Sequence, residues 1–286
     1  MPFPTDIGAI DTMFGIPSGN REDWYRFLRP QLRDRESLDE FTFPAQYLFH
    51  EVPPDPPGDP VDAVVAEMDR FGIEWAMIGV EGPDHEARRR HPDRFVACSS
   101  VDPNAGMDGI RRLRADVADH DARAAQWFPA GGHPQVAIND PRAFPIYATC
   151  AELDIPIFVC AGVPGPRVPM LAQHVEQIDE VCWAFPDLTF VMRHGAEPWD
   201  ELAVKLMLKW PGLHYSTSAF APRYYPRSII DYANSRGAEK VLYAGYFPMG
   251  LSLERIFREL PAVPLRDDVW PRFLRHNAAR LLGIDG

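Results

Sequence analysis

Ile155-Pro156-Ile157-Phe158-Val159-Cys160-Ala161 and Leu188-Thr189-Phe190-Val191-Met192-Arg193-His194 decide how this chain folds. Each is a short apolar run, rich in β-branched and aromatic residues and bounded by turn residues. That is the pattern of a parallel strand buried on both faces. Between them Leu171, His174, Val175, Ile178 and Cys182 recur at helical spacing. Strand, amphipathic helix and strand form a βαβ unit.

The unit repeats in both directions. Comparable runs lie at Asp6–Met13, Ile73–Val80, Arg94–Val101, Ala122–Phe128, Leu213–Ser218 and Lys240–Tyr246, which makes eight. From the second run onward, strand starts are about 20–35 residues apart. Asp59-Pro60 reads as an N-cap with proline at the first helical position. Val61, Val64, Val65 and Met68 follow at helical spacing, and Gly72 closes that helix. Leu274, Ala278, Leu281 and Leu282 make a last apolar stripe before Gly283. Eight strands in roughly 250 residues predict an α/β chain folded as a (β/α)8 TIM barrel. An open doubly wound sheet would usually carry a glycine fingerprint after its first strand, and none is present.

Residues 1–286 are therefore expected to form a single barrel domain with one irregular gap. Residues 20–57, after the first strand, hold Trp24, Tyr25, Phe27, Leu28, Phe41, Phe43, Tyr47, Leu48 and Phe49 and then turn proline-rich. So aromatic an insertion is expected to pack, either as a lid over the barrel mouth or as a subunit contact.

Composition narrows the function. The formal net charge is -12, and the one tight basic run, Arg88-Arg89-Arg90-His91, is surrounded by Asp84, Glu86 and Asp93. Such a balance excludes nucleic acid and anionic membrane as expected partners, and the basic run reads as a solvated helix face. The first ten residues lack a basic region followed by an apolar core, and no apolar run approaches the ~18 residues of a membrane span. The four cysteines, Cys98, Cys150, Cys160 and Cys182, show no CxxC pairing and are expected to be buried free thiols. A cytoplasmic location is the expectation.

In a barrel of this type the chemistry sits at the C-terminal ends of the strands. Those ends carry Asp11, Met13 and Gly15, then Gln126 and Phe128, Cys160, His194 and Tyr246. Phe14, Trp127 and Trp199 are expected to crowd the same mouth.

Several stretches, in order along the chain, resemble the amidohydrolase-related family (amidohydrolase 2), which includes the aminocarboxymuconate-semialdehyde decarboxylase-like enzymes. They are RFVACSSVDP from Arg94, FPIYATCAELDIPIFVCAG from Phe144, FPDLTFVMRHGAEPW from Phe185, HYSTSAFAPRYYP from His214, VLYAGYFP from Val241 and FLRHNAARLLGID from Phe273. Ile10-Asp11 anchors the start. The resemblance implies a barrel hydrolase or decarboxylase acting on a small carboxylated or cyclic substrate. It also implies a divalent metal held by paired histidines after strand one, histidines after strands five and six, and an aspartate after strand eight. Such an ion lowers the pKa of a water or polarises a carbonyl.

Carried onto this chain, the resemblance leaves most of those ligands unmatched. The paired histidines fall on Met13 and Gly15, the strand-five histidine on Cys160, and the strand-eight aspartate on Tyr246. The strand-four lysine and histidine of some relatives fall on Gln126 and Phe128. Only His194 is retained, with Cys160 as a soft substitute beside it. Two ligands do not hold a divalent ion tightly against competing sites. The other histidines (His50, His85, His91, His120, His133, His174, His214, His276) show no HxH or HExxH spacing, and His174 reads as a satisfied core histidine.

Three readings follow. The first is a barrel with a degenerate metal site, which binds no cofactor of its own. It would serve as the metal-poor partner of a related metal-bearing subunit, as in two-subunit systems of the 2-aminoisobutyrate hydroxylase type, or self-associate. The second is a stand-alone hydrolase or decarboxylase with a displaced metal site. The third is a metal-free thiol enzyme or binding protein, in which His194 activates Cys160 and Asp11 or Tyr246 supports the pair.

Overall fold

In a computed structural model, residues 3, 4, 6–39, 43–49, 52–55 and 57–284 are described. Phe41, His50, Glu51 and Pro56, which entered the sequence reading, lie outside them.

Eight parallel strands run in one sheet in chain order. They are β1 (Ala9–Asp11), β2 (Ile73–Ile78), β3 (Phe95–Ser100), β4 (Ala122–Trp127), β5 (Ile157–Cys160), β6 (Phe190–Arg193), β7 (Leu213–Ser216) and β8 (Val241–Leu242). The connections carry α3 (Pro60–Phe71), α4 (Gly82–Arg90), α5 (Gly106–His120), α6 (Phe144–Glu152), α7 (Ile178–Ala184), α8 (Asp200–Lys209), α9 (Arg227–Ala233), α10 (Leu253–Glu259) and α11 (Asn277–Leu282). Two short helices, α1 (Arg21–Tyr25) and α2 (Arg35–Asp39), precede them in the insertion. This is the (β/α)8 barrel expected from the strand spacing.

Local chemistry explains the helix ends. Asp59 caps α3 by accepting hydrogen bonds from the backbone N–H of Val61 and Asp62, at 2.9 and 3.0 Å. Gly72 then turns left-handed at φ 67° and ends the helix. Val64 and Met68 on its inner face are fully buried, each stabilising the fold by about 1.5–3 kcal/mol. The basic run on α4 is a solvated charged face at Arg89 and Arg90, whereas Arg88 is half-buried and donates to the carbonyls of His120 and Val80. Arg89 pairs with Glu86, and Arg90 with Asp59 and Asp62.

Alternation along the strands sorts side chains into two cores. Ile10, Met77, Val96, Cys98, Ala124, Phe158, Val191 and Leu242 meet inside the barrel with Ala278 and Leu282 of α11 beneath them. Their strand neighbours, including Ala9, Trp127, Val159, Met192, Tyr215 and Tyr243, pack outward against the helices.

The barrel closes between β1 and β8 with few backbone ladder bonds. Phe14 bridges Phe247, and the Thr12 hydroxyl donates to the Tyr243 carbonyl at 3.0 Å. The Gly245 N–H donates to Oδ1 of Asp11 at 2.9 Å. The run expected to extend to Tyr246 stops at Leu242, because the Tyr243 N–H is taken by the Phe273 carbonyl at 2.9 Å.

The stripe from Leu171 to Cys182 also differs from its expected single helix. It forms two 3-10 turns before α7, because the His174 ring accepts the Glu176 N–H at 3.3 Å and caps a fresh turn. Among the described residues no helix is long and apolar enough to cross a membrane. All four cysteines are free and buried.

Candidate functional site

The ends of β3 to β8 face a mouth that is part polar and part aromatic. Gln126, His194 and Tyr246 are half-buried there, and Ser100 is exposed. The insertion covers one side. Phe43, Ala45 and Met249 form a buried knot, against which Met13, Trp24, Tyr25, Phe49 and Tyr246 pack. Phe49 stacks on Tyr246 with ring centroids 6.0 Å apart. On the opposite side Phe27 meets Phe128 edge-on at 6.3 Å, and Gln31 donates to the Gly131 carbonyl. The insertion therefore packs over the strand ends, while Tyr47 and Leu48 on its outer surface remain exposed.

His194 follows β6 in a left-handed conformation, φ 62°, and Tyr246 also has positive φ, 128°. Non-glycine residues in such conformations cost about 1–3 kcal/mol each and cluster at functional sites. The His194 Nδ1 lies 3.0 Å from the Ser218 hydroxyl, which also accepts the His194 backbone N–H at 3.1 Å. Its ring meets the Tyr246 ring edge-on at 5.3 Å. Burial, with the neighbouring Arg193 charge, pushes the imidazole down to about 3, so it is neutral at pH 7.

Cys160 is buried, and burial pushes its thiol up to about 11. No hydrogen bond joins it to His194 among the described residues. Asp11 is also apart. Alternation turns it to the outer side of β1, where Oδ1 accepts the N–H groups of Gly245 and Met13 at 2.9 and 3.0 Å. Its other oxygen faces Gly245, where a Cβ would come within 2.5 Å. Burial raises the Asp11 carboxyl to about 7, against the lowering pull of those two bonds. The Cys160, His194 and Asp11 constellation is thus not joined, since each polar group is engaged elsewhere or buried alone.

Other expected mouth residues turn away. Phe14 packs outward on Phe247 at 5.3 Å, and Trp127 packs on Tyr147 at 6.2 Å. Strand parity explains Trp127, because its neighbour Gln126 takes the inward position. Trp199 lies against His174, with ring centroids 4.0 Å apart, at the start of α8. Gly15 sits where a Cβ would touch Met249 Sδ at 3.4 Å and the Trp24 ring at 3.6 Å.

One residue was missed by the sequence reading. Arg193 is only 3% exposed and points into the barrel top. Its Nη1 donates to Oε1 of Gln126 at 2.6 Å, and Gln126 Nε2 in turn donates to the Ser100 hydroxyl at 3.0 Å. Its Nε is buried without a partner, and no carboxylate pairs with it among the described residues. The signal was present: with Val191 inward, alternation puts Arg193 inward too.

Among the described residues no group of three or more His, Cys, Asp or Glu side chains could hold a metal ion. A family model described as amidohydrolase matches residues 54–284. No curated protein matches the chain. Solved structures share its fold. An uncharacterised TIM-barrel protein from Bordetella bronchiseptica is 21% identical with a TM-score of 0.75, over 97% of this chain and 99% of the other. The 2,6-dihydroxybenzoate decarboxylase from Rhizobium is 17% identical with a TM-score of 0.65, over 98% and 100%. The 5-carboxyvanillate decarboxylase from Novosphingobium aromaticivorans was solved with manganese and 4-hydroxy-3-methoxy-5-nitrobenzoic acid. It is 14% identical with a TM-score of 0.67, over 98% and 97%.

Proposed function

We propose that this chain, which belongs to the amidohydrolase family, works without a metal of its own, as the metal-poor partner subunit of a metal-bearing relative acting on a small carboxylated substrate. The observation that carries this reading is the buried guanidinium of Arg193 at the strand ends. A fixed positive charge among the positions where the family resemblance implies ligands opposes a divalent cation.

The residues there do not fit such an ion. Met13 offers a thioether and Gly15 no side chain. Cys160 offers a thiol held protonated by burial, and Tyr246 a phenol whose pKa burial raises well above its ordinary value. His194 alone is a conventional ligand, and its Nδ1 is engaged by Ser218. The named decarboxylases of similar fold act on carboxylated aromatics, which supports a substrate of that class for the complex.

The partner role draws support from the rim. Tyr47, Leu48 and Val163 are each at least half exposed, and the Tyr47 hydroxyl donates to the Gly165 carbonyl at 2.8 Å. Exposed apolar side chains thus lie beside the mouth, as Leu171 and Trp183 do on the helical flank. Elemental analysis and size-exclusion chromatography test the reading together. The chain alone is expected to carry substoichiometric metal and to co-elute with a ligand-complete relative expressed beside it. Stoichiometric zinc, manganese or iron in the chain alone contradicts it.

A further inference from the structure

We infer that the helical flank formed by α7 and α8 is a self-association surface, on which a second copy of this chain seats its Trp183 in the groove between the two helices. The surface lies apart from the barrel mouth, and the inference stands whether or not the chain holds a metal.

Trp183 on α7 and Leu171 on the first 3-10 turn before it are the most exposed large apolar side chains among the described residues, at 74% and 71%. Both line a groove of about 670 Å³, together with His174, Trp210, Glu176 and Glu180. Met170 and Leu208, each next in the chain to a lining residue, are exposed as well. Single exposed apolar residues are ordinary on a protein surface, whereas several around one recess mark a contact. Tryptophan seated in a recess is among the commonest anchors of protein interfaces.

The groove is braced from within. Asp179 of α7 accepts the Trp210 Nε1–H and the Lys209 ammonium, both at 2.7 Å. That ammonium also lies 4.8 Å from the centre of the Trp210 ring. Asn139 Nδ2 donates to Glu180 at 2.8 Å. The recess is thus formed before anything enters it, and little ordering is left for a partner to supply.

Charge names the occupant. A chain of net charge -12 repels another copy at long range, so a self-contact needs local complementarity. This face carries both signs on neighbouring elements. Glu176 and Glu180 lie on the α7 side, and Lys205 and Lys209 on the last two turns of α8. Glu176, Glu180 and Lys205 are exposed and form no ion pair among the described residues. A two-fold axis running along the helices sets α7 of each copy against α8 of the other, so carboxylates meet ammonium groups twice. A uniformly acidic or uniformly basic partner would satisfy only one of the two stripes.

Analytical ultracentrifugation of the purified chain tests the inference, with folding of each variant checked by circular dichroism. The wild type at about 50 μM is expected to sediment as a dimer. Trp183→Asp puts a carboxylate where the indole is seated and is expected to weaken association at least about a hundredfold. Leu48→Asp, on the rim of the insertion, is expected to leave the dimer intact. Glu180→Lys and Lys205→Glu are each expected to weaken it by about tenfold. A wild type that is monomeric at this concentration overturns the inference, even if it joins a metal-bearing relative through Trp183. So does a dimer that survives Trp183→Asp, that is indifferent to both charge variants, or that is dissolved by Leu48→Asp.

Discussion

Arg193, at the end of β6, reaches past β5 to Gln126 at the end of β4, and the 2.6 Å bond from Nη1 to Oε1 spans the top of the barrel interior. The amide is held in turn by Ser100 at 3.0 Å. Three strands are thereby tied to one buried cation. Gln126→Leu removes the acceptor and leaves an N–H of a buried charge unpaired. Urea unfolding should show a loss of about 1–3 kcal/mol, recovered in Gln126→Glu, which returns an acceptor and a countercharge.

The β1–β8 seam predicts a pH signature. A carboxyl whose folded pKa lies above its ordinary value holds its proton more tightly in the folded chain. Its contribution is therefore full below about pH 4 and is lost as the pH rises to about 7. For Asp11 the span from 3.8 to about 7 corresponds to at most about 4 kcal/mol. Asp11→Asn keeps the acceptor for Gly245 and Met13 but cannot ionise. Its stability relative to wild type should rise between pH 4 and pH 7 and level off above. His194 and His214 are both pushed down to about 3, and titrate with the opposite sign in an overlapping window. The difference between variant and wild type isolates Asp11.

The Cys160 thiol should be inert. Burial holds it protonated, and among the described residues no base is hydrogen-bonded to it. Iodoacetamide at pH 8 should label it far more slowly than a model thiol, with full labelling only after denaturation. Rapid native labelling read by peptide mass spectrometry would revive the thiol-enzyme reading.

Restoring a lost ligand should not restore a site. At Gly15 a Cβ has ordinary contact distances, but an imidazole beyond it must displace Trp24 or Met249. Gly15→His should lower stability by about 1–3 kcal/mol through overpacking. Alone it should leave manganese affinity unchanged, because Arg193 remains.

The barrel was legible because buried parallel strands are continuous apolar runs, and Phe190–Arg193 and Ile157–Cys160 fall inside the runs that announced them. Strand ends were less legible. β1 and β8 are short because side chains of Asp11 and Thr12, rather than backbone ladders, close the seam. At the site, Gln126, His194 and Tyr246 lie at the strand ends where position along the chain puts them. Parity decided the rest: Trp127 and Phe14 point outward, and Arg193 points in. The partners of His194 and Trp199, namely Ser218 and His174, come from other loops, and no local pattern foretells such contacts.

Manganese retention tests the central claim most directly. The purified chain is incubated with excess manganese, freed of unbound ion by gel filtration, and analysed for metal. Retention no higher than that of an unrelated control protein is the expected result. One equivalent retained per chain, and lost on His194→Ala, would contradict it.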